Sequence, residues 1–124
     1  MTILRVLIVE DEPLIAMLLA EVITEMGHDI CAMESTEATA VAAALRTKPD
    51  LMIVDAGLGE GSGVKAVEEI LLNGFVPHIF VSGDDLSDVT LSPDAVVLQK
   101  PFREKDLVRA IERVAMPSKQ LIGE

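Results

Sequence analysis

Two stretches constrain the fold more than anything else in this chain: VLIVEDEP at residues 6–13 and LMIVD at 51–55. Each is a short, unbroken run of mostly aliphatic residues, without the polar alternation of a half-exposed strand. Such runs are strands buried on both faces, and those belong to parallel sheets covered by helices on each side. Each run then stops at acids: Glu10, Asp11 and Glu12 after the first, Asp55 after the second. Adjacent carboxylates repel one another, so their clustering at a buried strand end calls for a counterion.

The remaining sequence supplies the helices and the other strands. Ile3 to Val9 reads as the first strand. Pro13 suits the first position of a helix, where its missing N–H costs nothing. Leu14, Ile15, Leu18, Leu19, Val22 and Met26 then form a helical stripe that Gly27 ends. Asp29 to Met33 is a weaker strand. Ser35 or Thr36 caps a second helix with Ala38, Val41, Ala42 and Leu45 on one face, and Pro49 closes it. After Leu51 to Val54 comes the loop AGLGEGSG, then a helix with Val64, Val67, Ile70 and Leu71 inward, ended by Gly74. Pro77 to Val81 is a strand running into Ser82 and Gly83. Residues 84–94 are polar and hold at most one short helix. Ala95 to Leu98 is the last strand, followed by Gln99, Lys100 and Pro101. A helix over 104–115 turns Leu107, Ala110, Ile111 and Val114 inward.

Five βα units predict an α/β, flavodoxin-like, doubly wound parallel sheet of order 2-1-3-4-5. Ligands in such sheets lie at the carboxyl ends of the strands. Four of those ends bring Glu10, Asp11, Asp55, Ser82 and Lys100 to one rim. Carboxylate oxygens with open positions suit magnesium, or manganese. A carboxylate can also act as a nucleophile and form an aspartyl phosphate, with Asp55 central. Lys100 would neutralise phosphate oxygens, and Ser82 with nearby loop N–H groups would bind others. Each residue alone has a plainer reading. Asp11 or Glu12 could cap the first helix, Ser82 could be a turn residue and Lys100 a surface lysine. Their conjunction is what points to phosphoryl chemistry.

Bulk properties narrow the partners. With 124 residues, half of them hydrophobic, the chain suits one domain, expected over 1–116, with 117–124 as a tail or linker stub. A second folded module such as a DNA-binding domain does not fit this length. The net charge of −11 argues against direct nucleic acid or anionic membrane contact and for cations or basic partners. The single cysteine, Cys31, excludes an internal disulfide and reads as a small core residue. No stretch is long and apolar enough for a membrane span. A cytoplasmic location is expected. His28 and His78 are isolated and read as structural, the methionines as core filler. Phe102 is expected to pack under the Lys100–Pro101 turn, and Glu60 to face solvent.

The segments VEDEP, IVD ending at Asp55, Gly63, VSG at 81–83 and QKPF at 99–102 resemble the receiver domain of bacterial two-component response regulators, over about residues 3–116. The resemblance implies that Asp55 is a phosphoacceptor. Asp11 would be a direct magnesium ligand, Glu10 a ligand through water, and the Gly57 backbone carbonyl a further ligand. Ser82 would be the switch hydroxyl and Lys100 the phosphate-facing lysine, with a cis Lys100–Pro101 bond. The implied partners are a histidine kinase or histidine phosphotransfer protein and an unknown downstream protein. Homodimerisation stays open.

Three positions depart from the family pattern. Val97 stands where a switch aromatic is usual. Only 17 residues separate Ser82 from Lys100, so the helix between the last two strands should be short, irregular or mobile. Gly59 replaces a common proline in a loop that already holds Gly57, Gly61 and Gly63, and flexibility is expected there. PHIFVSG, with Phe80, partly resembles the FATGUY receiver subgroup, although Val81, Ser82 and Asp84 differ from it. Phe80 is equally a plain strand residue. Two other functions are weighed against the phosphorylation switch. One is a pseudo-receiver that binds partners without being phosphorylated. The other is a magnesium-dependent aspartyl phosphohydrolase, disfavoured because Gly57 stands where its second Asp belongs.

Overall fold

The computed structural model describes residues 2–87 and 89–115. In chain order the elements are β1 (Arg5–Val9), α1 (Pro13–Glu25), β2 (Asp29–Glu34), α2 (Glu37–Thr47), β3 (Leu51–Asp55), α3 (Gly63–Leu71), β4 (His78–Ser82), β5 (Val96–Gln99) and α4 (Glu104–Ala115). The strands form one sheet of order β2-β1-β3-β4-β5, every pair parallel. This is the predicted topology.

Alternation along the strands divides the core in two. Leu7, Val9, Met52, Val54 and Phe80 face α2 and α3. Val6, Ile8, Ile53, Ile79 and Val81 face α1 and α4, where Leu19, Val22, Ile23, Leu107 and Ile111 meet them. Each fully buried aliphatic side chain is worth roughly 1.5–3 kcal/mol, so the three central strands anchor both layers. His28 is buried with its Nδ1 accepting the Leu4 N–H at 3.0 Å. His78 is fully buried, its Nδ1 2.8 Å from the Val76 carbonyl and its ring edge-on to Phe80. Both act as structural histidines, and Phe80 is a core residue. Cys31 is partly buried against the α2–α3 layer.

Several expectations need correction. On α1 the packed face is Ala16, Leu19, Val22 and Ile23, whereas Leu14 and Leu18 are 81% and 44% exposed. On α2 the packed face is Ala40, Ala43 and Ala44 with Val41 partly buried beside them, so Ala38, Ala42 and Leu45 of the predicted stripe look outward. Both helices are apolar on more than one face, so periodicity left the choice open. On α2 the alanines win because small side chains let the helix lie close to the sheet. Of the methionines, Met52 is core, but Met17 and Met33 are exposed. Between β4 and β5 no helix forms among the described residues; 83–87 and 89–95 hold bends, turns and irregular backbone. The expected tail at 117–124 lies outside the described residues. Among the described residues no helix is long and apolar enough to cross a membrane.

Candidate functional site

The pairing of Val9 with Val54 puts the ends of β1 and β3 side by side, which brings Glu10 next to Asp55. Glu10, Asp11 and Asp55 each offer a carboxylate oxygen within 4.8 Å of the others. β5 brings Lys100 to them. The Lys100 backbone N–H donates to the Ser82 carbonyl at 2.7 Å, and the Lys100–Pro101 peptide bond is cis as expected. The ammonium then reaches three acids at once: Asp55 Oδ2 at 3.2 Å, Glu12 Oε1 at 3.3 Å and Glu10 Oε1 at 3.4 Å.

Electrostatics follow from that crowding. Burial, with Asp55 beside it, pushes the Glu10 carboxyl up to about 7 against the pull of the Glu12 N–H and Lys100. Burial works against the Lys100 ammonium, but Asp55, Glu10 and Glu12 hold its pKa above the ordinary value. Glu10 Oε1 is buried without a hydrogen-bond partner. A buried acid oxygen met only by the Lys100 ammonium at 3.4 Å, beside two more carboxylates, is a donor set that suits a hard divalent cation.

The loop after β3 is fastened to this cluster. The Gly57 N–H donates to Asp55 Oδ1 at 2.9 Å and the Gly59 N–H to Asp11 Oδ2 at 2.7 Å. The Ser62 N–H donates to Glu37 Oε1 at 2.8 Å, the Glu37 N–H to the Glu60 carbonyl at 3.2 Å, and the Gly63 N–H to the Ala56 carbonyl at 3.0 Å. Two of its glycines serve close approach. Gly61 has φ +89°, and a Cβ there would lie 2.7 Å from Glu37 Oε1. A Cβ on Gly63 would fall on the Asp55 carbonyl oxygen. The flexibility expected of this loop is therefore not what the structure has: the glycines let it be tied down. Glu60 does face solvent.

Of the sequence-predicted residues, Glu10, Asp11, Asp55 and Lys100 come together, and Gly57 sits beside Asp55. Ser82 is on the same rim and buried, but its hydroxyl is engaged by Asp84. It accepts from the Asp84 N–H and donates to the Asp84 carbonyl, each at 3.0 Å. Val97 is 43% exposed and paired across the sheet with Phe80. Phe102 packs against the α1–α4 core layer beside Pro101. Sequence reasoning underrated Glu12. It occupies the N-cap of α1 without a side-chain cap bond and pairs with Lys100 instead. It missed Glu37 altogether, although an acid in the first turn of α2 was visible.

Comparison with known proteins agrees. The family model described as Response regulator receiver domain matches residues 6–112. The transcriptional regulatory protein PdtaR of Mycobacterium tuberculosis is 38% identical over 112 residues, covering 87% of this chain and 55% of that protein. The phyllosphere-induced regulator PhyR of Methylorubrum extorquens is 34% identical, covering 88% of this chain and 42% of its own length. The chain thus spans about half the length of these curated relatives. The solution structure of the Erythrobacter litoralis PhyR response regulator REC domain superposes with a TM-score of 0.82 at 34% identity, covering 90% of this chain and 89% of that one.

Proposed function

This chain belongs to the response regulator receiver domain family, and on that premise we propose that it is a signalling switch phosphorylated on Asp55. Domains of this family serve two-component signalling and are not conventional enzymes. The observation that carries the proposal is the single ammonium of Lys100 set among Asp55, Glu10 and Glu12, with Asp11 alongside. The phosphoryl donor is a phosphohistidine on a kinase or phosphotransfer protein. An Asp55 oxygen forms the new O–P bond while the donor's P–N bond breaks, and the electron pair returns to the imidazole. Lys100 holds the carboxylate in place and then meets the transferred phosphoryl oxygens. Magnesium or manganese, when held by Asp11, Asp55, the Gly57 carbonyl and Glu10 through water, would offset charge between the donor and the carboxylate.

After transfer, Ser82 exchanges its bonds to the Asp84 backbone for one to the new phosphoryl group, and the 83–95 segment rearranges with it. The signal leaves by protein contact. A second reading, a binding module that is never phosphorylated, is favoured by the closed Ser82–Asp84 ring and by the absent aromatic at Val97. Intact mass after incubation with acetyl phosphate and magnesium separates the two. A single phosphate adduct, absent without metal and in Asp55→Asn, is the expected result. The absence of an adduct, together with no response to beryllofluoride, would sink the switch.

A further inference from the structure

The outward face of α2 is an apolar surface that the core uses only at its Val41 edge and the site does not use. Ala38, Val41, Ala42 and Leu45 follow the spacing of one helical face, and Leu45 is 53% exposed. They floor a groove of about 670 Å³ closed on its far side by Glu60 and Gly61 of the β3–α3 loop and by Glu69 of α3. Every charged residue lining it is an acid: Glu37, Glu60 and Glu69. A second cleft, at Ile15, Leu18 and Phe102, is lined by Lys100 instead of an acid. An apolar floor with an acidic rim selects one kind of occupant. We propose that the α2 groove docks a cationic amphipathic helix of a partner protein, its aliphatic stripe on Val41 and Leu45 and its Lys or Arg residues on Glu37, Glu60 and Glu69.

The groove is wired to the site through Glu37. Its carboxylate rims the groove and also accepts the Ser62 N–H, and its own N–H donates to Glu60. The same short loop carries the Gly57 N–H on Asp55 and the Gly59 N–H on Asp11. A cation from the docked helix competes with the Ser62 N–H for Glu37. Docking and the state of Asp55 are thereby linked, and linkage is reciprocal. The docking surface stands independently; the coupling rests on the function proposed above.

The test is an NMR titration of the full chain with an idealised leucine–lysine helical peptide of about 18 residues, beside its leucine–glutamate counterpart. With no phosphodonor present, amide shifts should gather at 37–46 and 57–62 for the lysine peptide only. Ala42→Lys with Leu45→Lys, both exposed positions where Lys keeps helix propensity, should weaken binding at least tenfold without moving distant signals. Glu37→Gln, which keeps an acceptor for Ser62 but loses the charge, should weaken binding while leaving the loop signals in place. Unsaturable binding, shifts confined to α1, or unchanged affinity in the double variant would overturn the docking surface. Beryllofluoride with magnesium should change the peptide's affinity at least threefold. If it moves the Asp55 amide but not the affinity, the coupling is wrong. If it leaves the Asp55 amide unmoved, the phosphoacceptor reading has failed, and the coupling falls with it while the docking surface is kept.

Discussion

The loop after β3 and the segment after β4 flank the same carboxylates but are built in opposite ways. Residues 56–62 bond to parts of the chain far away in sequence, through Asp11 and Glu37, and reach Asp55 at close range. Described residues of the segment after β4 bond at short range: the Asp84 N–H to Ser82, Ser87 to Asp85, Val89 to Leu86 and Ala95 to Ser92. The first arrangement holds the carboxylates of Asp11 and Asp55 at fixed distances. The second can be rearranged at little cost, because short-range turns re-form wherever the segment goes. One rim thus combines a rigid wall with a movable one.

The largest way to break this contrast is to push on the rigid side. Gly63→Ala places a methyl on the Asp55 carbonyl, and Val54 Cγ1 lies 2.8 Å from the same point. A loss of about 3 kcal/mol in urea unfolding is expected, together with loss of phosphorylation. Next is Lys100→Met, which leaves Glu10, Glu12 and Asp55 without their cation. Stability in metal-free buffer should fall by roughly 1–3 kcal/mol and recover in part on adding magnesium, seen as a shift in melting temperature.

A pH series sharpens the comparison further. The folded-state pKa of Glu10 is raised from 4.5 to about 7, so between those values the folded chain binds more protons than the unfolded one. Its stabilising protonation is full below 4.5 and lost as pH rises through about 7. Metal-free stability should decline across that window, and the decline should flatten in Glu10→Gln. The smallest effect belongs to the movable side. Asp85→Ala removes the side-chain bond to the Ser87 N–H and should cost under about 0.5 kcal/mol, since the segment is exposed there. A cost like that of Gly63→Ala would abolish the distinction between the two walls.

How much of this was legible in the sequence depends on how far each feature reaches. The strand order and the convergence of Glu10, Asp11, Asp55 and Lys100 followed from buried runs ending in charge, because topology alone fixes where strand ends go. The faces of α1 and α2 did not, since Leu14 and Leu18 on the first and Leu45 on the second are as apolar as the residues that pack. Glu12 was underrated and Glu37 missed because their partners lie 88 and 25 positions away, and no local pattern announces such a bond. The loop glycines misled for a related reason. Glycine permits motion and close approach alike, and only the neighbouring atoms decide between them.

The outward apolar faces of α1 and α2 also have a colloidal consequence. Leu14, Met17 and Leu45 are more than half exposed, while the shared net charge of −11 repels one copy of the chain from another. Salt screens that repulsion within about 10 Å at 0.1 M, and acidification removes it altogether. Concentrated solutions of this protein should therefore tolerate dilute neutral buffer best, and their first associations on adding salt should form between the helices that carry these leucines.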